Sequence, residues 1–138
     1  MASKIVCFGE TLWDIFPDKK VIGGAPLNVA LRLHSLGDQV SIISSIGNDT
    51  DGKNLIAYLK EQHLSTDAIQ IDDKLPTGNV QVHLDSSNTA SYTISEPVAW
   101  DHIIISQEDI QRIQLSHAFI YGSLSCRENT SKNTLLTY

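Results

Sequence analysis

A chain of 138 residues, 41% of them hydrophobic, is long and apolar enough to close a buried core. Its formal net charge is −6 and its ten Lys and Arg are spread thinly, which excludes nucleic acid as a partner, because neutralising phosphates needs clustered cations. No apolar run approaches the roughly 20 residues that cross a bilayer and no secretory signal opens the chain, so no membrane partner is expected.

Two cysteines, Cys7 and Cys126, are too few for a disulfide scaffold or a thiolate zinc site, and a reducing cytoplasm is the expected setting. The five histidines show no ligand-like spacing, so no metal site is expected on them.

Ile5 to Phe8 is a continuous apolar run, the pattern of a strand covered on both faces, and it ends at Gly9-Glu10. Leu12 to Phe16 is apolar with Asp14 embedded in it, so a polar group is carried into an otherwise dry segment. A carboxylate there can accept from two adjacent hydroxyls at once, through charge-assisted bonds roughly twice as strong as neutral ones.

Strand-like residues then lead into Gly23-Gly24-Ala25-Pro26-Leu27-Asn28, which opens a helix reaching Leu36, with Gly37 placed to stop it. Two glycines let the backbone turn tightly and approach a ligand. Pro26 suits a first helical turn, where its missing N–H costs nothing, and Asn28 can donate and accept at the helix N-terminus. A backbone-lined polar cradle of this kind suits a small hydroxylated ligand.

Val40 to Ile46 reads as the next strand, and a helix near Lys53 to Gln62 is expected to bury Leu55, Ile56 and Leu59. Strand, helix, strand, helix at these lengths implies a parallel sheet with packed helices. The loop between them, Gly47-Asn-Asp-Thr-Asp-Gly52-Lys53-Asn54, falls one residue short of a phosphate-binding P-loop. Asn54 replaces the hydroxyl that would hold magnesium, and Asp49 and Asp51 put negative charge where phosphates would lie. Each such contact costs on the order of 1 to 4 kcal/mol, depending on solvent access. An Asp N-cap is the better reading. A dinucleotide fingerprint is excluded as well, since Gly9 is followed by Glu10, Thr11 and Leu12.

The pattern then changes to alternation. Val80, Val82 and Leu84 alternate with Asn79, Gln81 and His83, a loop spans Asp85 to Thr89, and Ala90, Tyr92 and Ile94 alternate again. This predicts a hairpin with one apolar face, which must cover its own chain's cradle or the same hairpin of a second copy. A helix near Gln107 to Ile113 and a strand Ala118 to Tyr121 follow. A last helix from Glu128, with Leu135 and Leu136 expected to pack, reaches Tyr138 without a terminating residue, so the chain is expected to be cut short.

Taken together, the Gly-Gly-x-Pro-x-Asn turn at 23–28 and the Gly-x-Asp-x-x-Gly loop at 47–52 resemble the N-terminal half of the PfkB family of carbohydrate kinases, in its fructokinase branch. The resemblance implies an α/β, ribokinase-like three-layer fold, a parallel sheet with helices on both faces, spanning 1–138. It also implies a small β lid built from segments near 10–22 and 77–95. The implied activity is transfer of the ATP γ-phosphoryl group to a hydroxyl of a sugar, with ATP and Mg2+ as cofactors of the full-length protein. The substrate-binding residues it implies are Asp14, Gly23, Gly24, Asn28 and Tyr92, while the catalytic aspartate, the anion hole and the nucleotide pocket fall in a second half that this chain lacks. Trp13, Phe16 and Trp100 could stack on a sugar face, but core packing is the expected role for any one of them.

Some relatives carry an arginine on the lid just before the segment matching Ala99-Trp100-Asp101. Ser95-Glu96-Pro97-Val98 stands there instead, which favours a neutral hexose, fructose first. A homodimer through the lids is expected. Two rival readings are a non-catalytic sugar-binding or interaction module and a ribose or nucleoside kinase fragment.

Overall fold

The computed structural model describes all residues from Met1 to Tyr138. The apolar run at the start forms β1 (Lys4–Phe8), the middle of a parallel sheet that also contains β4 (Gln39–Gly47), β5 (Ile69–Asp72) and β8 (Ala118–Tyr121). Their order is β5-β4-β1-β8, with Cys7 opposite Ile42 on one side and Ile120 on the other.

Alternate side chains of β1 explain why its run is unbroken. Ile5 and Cys7 enter one core with Val40, Ile42 and Ile46, roofed by Leu27 and Ala30 of α1 (Ala25–Ser35) and by Leu55 and Leu59 of α2 (Thr50–Glu61). Val6 and Phe8 enter a second core with Ile43, Ile103, Ile113 of α3 (Gln107–Gln114) and Leu135 of α4 (Asn129–Thr137). In that second core the rings of Phe8, Phe119 and Tyr138 meet edge to face at 6.0 to 6.5 Å between centroids. Burying a Phe or Leu in such a layer contributes about 1.5–3 kcal/mol. Helices thus cover both faces, the three-layer arrangement expected.

Between these layers the chain twice leaves the parallel sheet to build another. β2 (Leu12–Ile15), β3 (Lys20–Gly23), β6 (Gly78–Leu84) and β7 (Ala90–Ile94) form a four-stranded mixed sheet in the order β3-β2-β6-β7. β2 pairs antiparallel with β3 and parallel with β6, and the hairpin puts Val82 opposite Tyr92.

On α1 the buried side is Pro26, Leu27 and Ala30, while Val29 and Leu36 face out. Other side chains lie elsewhere than the patterns predict. Leu135 packs, but Leu136 is 75% exposed. The apolar face of the hairpin is covered only in part: Val80 and Val82 are buried, whereas Leu84, Ala90, Tyr92 and Ile94 are exposed. Strand β5 has no predicted counterpart, nor do the 3-10 turns at Ala99–His102 and Ser123–Cys126. No helix is long and apolar enough to cross a membrane.

Candidate functional site

β1 has two parallel neighbours reached by opposite routes. β4 follows through α1 on one face, and β8 follows much later through the second sheet and α3 on the other. A crevice at the carboxyl ends of the strands where the winding reverses is where open α/β sheets bind ligands. Glu10 and Gly122 flank that point as the residues following β1 and β8, and the 23–28 turn closes over it. The largest groove of the molecule, ≈ 730 Å³, opens at the opposite edge among Lys4, His34, Asp38, His63 and Arg112, away from this crevice.

The turn has the conformation its residues call for. Gly24 caps α1 at φ 105°, in the region that excludes ordinary side chains, and a β-carbon there would collide with the Glu10 carbonyl. Pro26 occupies the first turn and is buried, and the Asn28 N–H donates to the Gly24 carbonyl at 2.9 Å. The Asn28 side chain is exposed and lines a cleft of ≈ 270 Å³ with Trp13, Lys20 and Tyr58.

Asp14 lies on β2 between Val21 of β3 and Val80 of β6. It is half-buried, and burial raises its carboxyl above the usual value. Its carboxylate overhangs Gly23, where a β-carbon would come within 2.8 Å of the Asp14 carboxyl carbon. Asp14, Gly23 and Gly24 are therefore brought together, with Asn28 one helical turn further on. Tyr92 is not brought in: it shares the face of Asp14 but lies two strands across and one row along, 65% exposed.

Two cations of this part of the chain, Lys20 and Arg127, are already engaged by acids. The Asp49 side chain caps α2, accepting from the Gly52 N–H at 2.7 Å, the Thr77 hydroxyl at 2.7 Å and the Thr77 N–H at 2.8 Å. Burial works to raise its carboxyl, and these donors outweigh it, so the net shift is downward. The helix N-terminus that a P-loop would offer to phosphate is already occupied, as the N-cap reading predicts. Lys20 pairs with Asp51 at 2.5 Å.

Arg127, which no sequence signal singled out, grips the fully buried Asp101 through two bonds of 2.7 Å and donates to the Ser95 carbonyl at 2.8 Å. Its guanidinium also stacks on the Trp100 ring, 4.1 Å from the centroid. Hydrogen bonding to Asp101 pushes the Arg127 pKa up further. Arg127 and Asp101 are 26 positions apart, so no local pattern reveals the pair.

The three stacking candidates fare differently. Trp100 is entirely buried beneath Arg127, the core packing expected of it, and has no face to offer a sugar. Trp13 donates its indole N–H to the Asp51 carbonyl at 3.0 Å and packs on the first core, with the Lys20 ammonium 5.3 Å from its ring. Phe16 is half-buried with the Lys19 ammonium 5.3 Å from its ring.

The model of the pfkB family of carbohydrate kinases matches residues 2–130. The chain belongs to that family. It is 31% identical over 125 residues to a putative sugar kinase of Pyrococcus horikoshii, covering 91% of this chain and 40% of that protein. A probable fructokinase of Arabidopsis thaliana is 29% identical over 145 residues, covering 96% of this chain and 42% of its own length.

The crystal structure of the P. horikoshii protein, also solved in complex with ATP, superposes with a TM-score of 0.86 at 29% identity, covering 96% of this chain. The fructokinase of Halothermothrix orenii shares the fold at a TM-score of 0.86 and 23% identity, covering 97% of this chain and 51% of that one. This pfkB-family chain thus spans about 40% of the length of the curated relatives it matches and about half of the solved ones.

Proposed function

We propose that this pfkB-family chain is the sugar-binding part of an ATP-dependent kinase whose acceptor is a neutral sugar, fructose foremost. The observation that carries the reading is Asp14 folded over Gly23 beside a backbone-lined turn, with Lys20 and Arg127 already held by acids. A carboxylate accepts from vicinal hydroxyls and repels an acidic sugar. Gly23 and Gly24 give a ligand access to backbone, and Asn28 adds a donor and an acceptor. Tyr92 serves as a lid residue that approaches when the second sheet closes. Fructokinases among the relatives support the substrate.

The residues of this chain do not fit ATP phosphates or their magnesium, since the Asp49 carboxylate occupies the N-terminus of α2, where a P-loop would hold them. No step through the nucleotide is therefore assigned to them. What this chain's residues do is bind and orient the acceptor hydroxyl, which can supply a large share of a phosphoryl-transfer barrier. Two free cysteines, one of them buried, fit a reducing cytoplasm.

Calorimetry of the purified chain with fructose, ribose, adenosine and gluconate tests the reading. Binding of fructose in preference to gluconate is expected, together with no transfer of phosphoryl from ATP by this chain alone. Fructose phosphorylation above a mock preparation would refute the division of labour, and tighter binding of gluconate would refute the neutral acceptor. The rival reading, a sugar-binding module without catalysis, is favoured by the same occupied N-terminus of α2. It predicts that no longer form of the protein transfers phosphoryl either.

A further inference from the structure

Trp13 and Asp14 are consecutive residues of β2, so their side chains leave the second sheet by opposite faces. On one face the Asp14 carboxylate overhangs Gly23. On the other, Trp13 and its cross-strand partner Ile22 pack against the core beneath α1 and α2. Where the indole is held on that side therefore sets where the carboxylate stands on this one.

Two contacts hold the indole, and both end on Asp51. The indole N–H donates to the Asp51 carbonyl at 3.0 Å. The Lys20 ammonium, 5.3 Å from the ring centroid, donates to the Asp51 carboxylate. Asp51 stands in the first turn of α2 but does not cap that helix, a task the Asp49 side chain performs. The two acids of the 47–52 loop thus have separate partners: Asp49 holds its own helix and Thr77, and Asp51 holds the arm made of β2 and β3. That arm needs an anchor, because its strands have four residues each and β3 is the edge of its sheet. Of the two contacts the indole bond decides the position. The Lys20–Asp51 pair has side chains 37% and 34% exposed, and ion pairs open to solvent contribute little.

We propose that Trp13 is a positioning residue: clamped to the Asp51 carbonyl, it fixes the β2–β3 arm to the start of α2 and so holds Asp14 over Gly23. The consequence for a ligand rests on the sugar-binding reading above; the clamp does not. The indole acts from the side of the sheet that packs on the core, opposite the side on which Asp14 stands.

Trp13→Phe tests the proposal, since it keeps an aromatic ring against the core and removes the N–H. Amide hydrogen exchange read by NMR on the 138-residue chain is expected to speed about fivefold across β2 and β3, Asp14 and Gly23 included, with β1 and β4 unchanged. Fructose affinity measured by calorimetry should fall about fivefold as well. In an Asp14→Ala background the same substitution should cost no further affinity, because its effect runs through the carboxylate. The wild-type Trp13 indole N–H should itself exchange about tenfold more slowly than that of free tryptophan.

Unchanged exchange across β2 and β3 in Trp13→Phe overturns the clamp, as does an indole N–H that exchanges as fast as free tryptophan. An equal loss of fructose affinity in both Asp14 backgrounds overturns the positioning role. Should Trp13→Phe fail to fold, the wild-type indole decides alone: a protected N–H supports the proposal and an unprotected one refutes it. A wild-type chain that binds no fructose would defeat the sugar-binding reading, while exchange at Asp14 and Gly23 still decides whether Trp13 holds the arm.

Discussion

Asp14 and Gly23 belong to neighbouring strands of the second sheet, and the Asp14 carboxylate fills the space where a side chain at position 23 would stand. The glycine therefore does more than turn the chain: it makes room for an acid at the edge of the cradle. Gly23→Ala is expected to displace Asp14 and cost about 1–3 kcal/mol in stability, the usual penalty of overpacking. On the proposed sugar-binding reading, Asp14→Ala is expected to leave the fold intact and to cost about 1.5–3 kcal/mol of a charge-assisted contact, or roughly 10- to 150-fold in sugar affinity. Calorimetric titration with fructose checks both, and equal affinity of Asp14→Ala and wild type would remove Asp14 from the site.

Asp49 ties the start of α2 to Thr77, the residue just before β6, and so anchors one leg of the hairpin to the parallel sheet. Its carboxyl titrates below its ordinary 3.8, so the folded state holds it ionised more readily than the unfolded chain does. The stability it contributes is present above that ordinary value and is lost as pH falls through the depressed one. Asp49→Ala should cost about 1–2 kcal/mol at neutral pH, as loss of an N-cap does. In Asp49→Asn the corresponding part of the acid-side fall in stability should disappear. Urea melts followed from pH 7 down to pH 3 separate these outcomes.

Arg127 anchors the other leg, holding Asp101 and the Ser95 carbonyl just beyond β7. Because Asp101 is fully buried, Arg127→Ala would strand its charge, and breaking such a pair from one side costs about 3–5 kcal/mol. Arg127→Lys should recover only part of that, since an ammonium supplies neither the two-pronged grip nor the stacking on Trp100. Arg127→Met combined with Asp101→Asn should be milder than Arg127→Ala alone. A double variant less stable than Arg127→Ala would refute this account of the pair.

Local chemistry made much of this legible. The unbroken run of Ile5 to Phe8, the glycines at 23 and 24 and the Asp49 cap follow from rules that act over a few residues, and the structure has each of them. The period of α1 does not settle which side packs, since the outward Val29 and Leu36 are as apolar as the buried Leu27 and Ala30, and only packing on β1 and β4 decides between them. Arg127 with Asp101 and Asp49 with Thr77 join residues 26 and 28 positions apart, so no window of sequence contains either pair.

The hairpin face supplies the last prediction. Val80 and Val82 are buried within this chain, but Tyr92 and Ile94, beside them on β7, are 65% and 37% exposed. Leu84 and Val21 extend the same exposed face across the sheet, and an uncovered apolar face of this extent calls for a partner surface. A second copy meeting it lid to lid is the expected cover, and the resulting pair would be two-fold symmetric. The informative variants are Tyr92→Asp with Ile94→Asp, because both side chains reach solvent and can be changed without opening the core. Val82→Asp is a poor probe, since at 4% exposure it would place an unpaired charge inside the chain. Sedimentation velocity should show dimers for the wild type and monomers with an unchanged circular dichroism spectrum for the double variant. A wild type that sediments as a monomer at all concentrations, or a double variant that sediments as the wild type does, would exclude the lid as the interface.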